Sequence, residues 1–143
     1  MAKIVTVDDY PLYAEMVSAL LREHGHHEVK AVLAPVIPDE ITEFDPDIVV
    51  VSLVRRLEAI GHGPLHDFYA EVDGARAWRS LATDDATRHY PIILAVIGVR
   101  ETEIPANMAY VALVHIPHEI DLLLITIRKI LEAKERGGRL GEA

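Results

Sequence analysis

Cysteine is absent from this chain of 143 residues. Its absence excludes disulfides, thiolate nucleophiles and cysteine-based zinc sites. It fits a reducing cytoplasm, where we expect the protein to reside. Long apolar runs are also absent, so no stretch is expected to cross a bilayer. No secretory leader is expected, because Asp8 and Asp9 interrupt the first apolar run and a helix-like segment follows. Basic residues are outnumbered, with 14 Lys and Arg against 23 Asp and Glu, for a formal charge of −9. Direct nucleic-acid binding is therefore not expected, since phosphate contacts need a basic face. Internal repeats and low-complexity tracts are missing too.

What is present is a globular composition, half of it apolar. The length suits one domain with one sizeable core. Five short β-branched runs alternate with helix-period segments. They are Lys3–Val7, Val29–Leu33, Ile48–Ser52, Ile92–Val96 and Tyr110–Val114. All but the first are almost continuously apolar, as strands buried on both faces are. The pattern predicts an α/β fold with a parallel sheet between helical layers.

The first helix is predicted over about Pro11 to Arg22, with Leu12, Met16, Ala19 and Leu20 on one face and Gly25 as the stop. Pro35 and Pro38 leave only a short second helix, near Asp39–Phe44. A third helix follows Asp73-Gly74 and runs to about Leu81, with Ala75, Trp78, Leu81 and Ala82 toward the sheet. Pro105 breaks the segment from Gly98 to Ala109, so a fourth helix there is shortened. The last helix has the clearest stripe: Ile120, Leu123, Leu124, Ile127, Ile130 and Leu131. Gly137-Gly138 is its predicted end. The domain is expected over residues 1–136, with 137–143 as a flexible tail or the start of a linker.

Two aspartates, Asp8 and Asp9, close the run Lys3-Ile4-Val5-Thr6-Val7. Pro46-Asp47 leads into Ile48-Val49-Val50-Val51-Ser52. Asp73-Gly74 begins a stretch that ends in Ala86-Thr87-Arg88-His89-Tyr90-Pro91-Ile92-Ile93. Together these segments resemble the response-regulator receiver domain over roughly residues 2 to 131. The resemblance implies a doubly wound, flavodoxin-like, five-stranded parallel sheet of order 2-1-3-4-5.

It also implies a site at one sheet edge, and there the chain departs from the pattern. Asp8 and Asp9 match the two metal-binding acids of the family. Ser52 replaces the phosphoacceptor aspartate. Val96 stands where a threonine or serine hydroxyl is expected. The lysine after the fifth strand is missing; His115 is the nearest residue, and Pro117 comes one place late for the lysine-proline pair. An acceptor must be a carboxylate, because it both ligates magnesium and attacks phosphorus, and magnesium prefers hard anionic oxygens. Ser52 has no evident base, and without the lysine no cation neutralises a transferred phosphoryl group. The vestigial acidic pocket is thus Asp8, Asp9, Ser52, Val96 and His115, with weak magnesium at Asp8 and Asp9 at most and no other cofactor.

Other features invite functional readings. The 21 positions from Ser52 to Asp73 hold an insertion longer than ordinary loops. Within it, Arg55-Arg56-Leu57-Glu58-Ala59-Ile60 is a candidate helical turn. Arg55 and Arg56 are candidates to cover the pocket and pair with Asp8 or Asp9, a fixed cation in place of magnesium. His24, His26 and His27, near Glu23 and Glu28, could form a surface metal site or simply a polar turn. On the last helix Leu122, Ile125 and Lys129 point away from the core stripe. They are a candidate interface, either for a homodimer or for another protein.

The expected function is a phosphorylation-independent signalling module of the receiver superfamily, a pseudo-receiver that binds a protein partner and is not an enzyme. The alternative is a divergent receiver regulated by a cation, a ligand or atypical phosphorylation. A third reading makes Ser52 a hydrolase nucleophile with His115 as base and Asp8 or Asp9 as orienting acid, although no Gly-x-Ser-x-Gly turn is present.

Overall fold

In the computed structural model, which describes residues 2–25, 27–56, 65 and 67–142, and side chains as far as Arg136, strands and helices alternate along the chain. The strands are β1 (Lys3–Asp8), β2 (Glu28–Leu33), β3 (Ile48–Arg55), β4 (Val72–Asp73), β5 (Ile92–Ile97) and β6 (Ala112–His115). The helices are α1 (Pro11–Gly25), α2 (Pro38–Phe44), α3 (Phe68–Glu71), α4 (Ala75–Thr83) and α5 (Ile120–Glu142). A 3₁₀ turn, Glu101–Glu103, occupies the place of the shortened helix.

Five strands form a parallel sheet in the order β2-β1-β3-β5-β6. This is the expected order 2-1-3-4-5, with the two-residue β4 added in antiparallel pairing with β3. Alternate residues of the central strands feed two cores. Val5, Val7, Val49, Val51, Leu94 and Val96 face a layer containing Trp78, Leu81 and Ile41. Ile4, Ile48, Val50, Ile93 and Ala95 face a layer containing Val17 and Leu21 of α1 and Leu123 and Ile127 of α5. Burial on both faces is why these strands read as unbroken apolar runs.

Three expectations need correction. The buried stripe of α1 is Ala14, Val17, Ser18 and Leu21, while Leu12 is 72% exposed and Met16 and Ala19 also face solvent. The stripe contains a serine because the Ser18 hydroxyl bonds Thr6 Oγ1 of β1 at 3.0 Å inside the core. The last helix continues across Gly137 and Gly138 to Glu142; each glycine costs only about 1 kcal/mol in a helix interior, too little to force a stop. Finally, β3 does not end at Ser52 but runs on to Arg55, held by β5 on one side and β4 on the other.

Candidate functional site

The sheet register decides which of the expected residues meet. Val7 pairs with Val51, which sets Asp8, at the end of β1, beside Ser52 within β3. Ser52 pairs with Ala95, on the α1–α5 face of the sheet. Val96 pairs with Leu53 and His115, and it packs into the opposite core. Side chains alternate between faces along a strand. The five residues therefore do not converge: Asp8 and Ser52 share one face, and Val96 lies on the other.

His115 is further displaced. It lies on β6, two strands from Ser52 and in register with Val96, so it cannot act as base toward the serine. Its ring stacks on His118, with centroids 6.0 Å apart. Directly before Pro117 stands Ile116, buried in the core, so an isoleucine fills the place of the lysine in the implied lysine-proline pair. Ser52 itself is buried. The serine–histidine–acid set is therefore not assembled.

The two aspartates have separate fates. Asp8 is almost fully buried; Oδ1 accepts from the Tyr10 N–H at 3.0 Å. Oδ2 has no partner at hydrogen-bonding distance among the described residues. Burial pushes the carboxyl pKa up, opposed by the Tyr10 amide and by the nearby Ser52 hydroxyl. Asp9 faces solvent, and its Oδ2 accepts from the Gly74 N–H at 2.6 Å. That bond joins residues 65 apart in sequence and fixes the β1–α1 turn to the start of α4.

Gly74 is the residue that closes the corner. Its φ of 87° suits glycine, and a Cβ there would lie 2.0 Å from the Ser52 carbonyl oxygen. The backbone of the insertion thus returns directly over β3. Arg56 stiffens this return: its Nε bonds Asp73 Oδ1 at 3.0 Å and its N–H donates to the Glu71 carbonyl at 3.0 Å. Arg55 reaches Glu103, 3.9 Å away. Among the described residues, the ion pairs of these arginines run to Glu103 and Asp73, and none to Asp8 or Asp9. The charge of Asp73 also raises the pKa of the exposed Tyr10 phenol.

Asp73 and Gly74 carry the corner, and their sequence signal was an Asp-Gly pair, which also begins a helix. Most of the proposed turn over residues 55–60 lies outside the described residues, as does His26 of the candidate histidine site. His27 accepts the Ala2 N–H at its Nδ1, a structural use. Among the described residues no group of three or more His, Asp or Glu is placed to hold a metal ion.

Known proteins were compared with this geometry. Protein PilH of Pseudomonas aeruginosa is 27% identical over 103 residues, covering 72% of this chain and 74% of PilH. The signal receiver domain of a signal transduction histidine kinase from Syntrophus aciditrophicus superposes with a TM-score of 0.61 at 20% identity, over 93% of this chain and 92% of that one. Its fold is that of a response-regulator receiver domain. Vibrio cholerae chemotaxis protein CheY4 gives a TM-score of 0.65 at 16% identity, over 91% of this chain and 98% of that one. NtrX from Brucella abortus gives 0.65 at 17% identity; this receiver-fold chain is covered to 99% but spans only 28% of NtrX. No family model matches the sequence. Among the described residues, no helix is long and apolar enough to cross a membrane.

Proposed function

We propose that this receiver-fold domain is a phosphorylation-independent, protein-binding module of two-component signalling. The observation that carries the reading is the return of the chain at Gly74 onto the Ser52 carbonyl, secured by Asp9. A receiver site needs open space beside its acceptor and free carboxylates to hold magnesium. Here the acceptor position is a buried serine, and one oxygen of Asp9 is held by the Gly74 backbone amide. Magnesium prefers near-octahedral oxygen coordination. One buried carboxyl whose pKa burial raises, one carboxylate tethered to a backbone amide and a hydroxyl do not fit that demand.

The same features favour action through a fixed surface instead of a shift between two states, and we propose that the module is not an enzyme and acts in the cytoplasm. We assign the partner contact to the outer face of α5, where Leu122 and Ile125 are 40% and 44% exposed beside Lys129. The partner is a signalling protein or a second copy of the chain. Incubation with labelled acetyl phosphate and magnesium tests the reading, using the wild type and Ser52→Asp. Neither is expected to incorporate label. Rapid labelling of Ser52→Asp would show that the corner is open and would overturn the proposal.

A further inference from the structure

Beside the closed corner, between the turn after β2 and the first turns of α4, lies a half-open cleft of about 500 Å³. That volume is in the range of small-molecule sites. Its lining carries four charges, and they are not evenly matched. Asp73 is paired with Arg56 at 3.0 Å. Asp9 accepts one hydrogen bond from a neutral amide and has no cationic partner among the described residues. Arg76, exposed on the first turn of α4, has no ion pair or hydrogen bond among the described residues. Asp9 and Arg76 thus line one cleft without pairing with each other. Val36, Val72 and Ala77 give it an apolar wall.

We propose that this cleft binds a small zwitterion with an apolar side chain, of the class of a free α-amino acid. The ligand carboxylate meets the Arg76 guanidinium, whose planar fork suits it. The ligand ammonium meets the free oxygen of Asp9, and the side chain covers Val36 and Ala77. A simple anion would face Asp9 unfavourably, and a simple cation would face Arg76. A molecule with both charges satisfies both walls and leaves the Arg56–Asp73 pair intact. The inference does not rest on the phosphorylation reading, because the cleft lies to one side of Ser52.

An NMR titration of the full chain tests it, with L-phenylalanine and L-leucine as probes. Phenethylamine and 3-phenylpropionate serve as analogues lacking the carboxylate and the ammonium. Saturable shifts at the amides of Val36, Val72 and Ala77 are expected with at least one amino acid. Each analogue should bind at least about tenfold more weakly than L-phenylalanine, since each loses a charge-assisted bond. Arg76→Ala should weaken amino-acid binding at least about tenfold while the rest of the spectrum stays unchanged. Asp9→Asn keeps an acceptor for Gly74 and should also weaken binding. Failure of both amino acids to saturate, equal binding of either analogue, or full binding by Arg76→Ala would overturn the proposal.

Discussion

Gly74 and Ser52 are in such close backbone contact that any side chain at residue 74 would collide with the serine carbonyl; a Cβ would stand 2.0 Å from the oxygen. With a positive φ at the same residue, Gly74→Ala carries two penalties. It is expected to lower unfolding free energy by about 2–4 kcal/mol, read by chemical denaturation. A change under about 0.5 kcal/mol, as at an ordinary surface position, would mean the return is loose.

Asp8 should make stability depend on pH in an unusual direction. Burial raises the folded-state pKa of its carboxyl above the ordinary 3.8. Its contribution to stability is complete below that ordinary value and is lost as pH rises through the folded-state value. At pH 7 it therefore opposes folding, with Oδ2 buried and unpaired among the described residues. Asp8→Asn keeps an acceptor for the Tyr10 N–H and should stabilise the chain at neutral pH, on the order of 1–3 kcal/mol. The gain should vanish below about pH 4, near the ordinary carboxylate value. Melting curves at the two pH values measure it.

The Arg56–Asp73 pair should couple β4 to the end of β3. Arg56 is 45% exposed and Asp73 only 8%, so solvent screens the pair in part. A double-mutant cycle with Arg56→Ala and Asp73→Asn should give a coupling of about 1 kcal/mol. Zero coupling would show that the bond contributes nothing to the return.

The face of α1 gives a further check. Leu12→Gln should change stability by less than about 0.5 kcal/mol, because Leu12 faces solvent. Leu21→Ala should cost about 2–5 kcal/mol, because Leu21 is fully buried. Denaturant unfolding of the two variants distinguishes the observed stripe from the expected one.

These residues also show what local sequence can and cannot carry. The strands and α5 are readable because apolar runs and a helical stripe are local, repeated signals, whereas the sheet order is implied by the receiver resemblance. The stripe of α1 was hidden by Ser18, a polar residue buried because Thr6 bonds it across the core. Extension of β3 through Arg55 was missed because β4 has only two residues, too few for any period. The acids at the corner were found from their positions, but their uses depend on Gly74, which reaches Asp9 only after 65 residues. Such long-range backbone contacts leave no pattern in composition or spacing.

An NMR titration with magnesium and beryllofluoride, a phosphoryl mimic, tests the closed corner most directly. The account predicts no saturable shift at the amides of Asp8, Asp9, Ser52 and Gly74. A saturable shift centred on those four residues would contradict it.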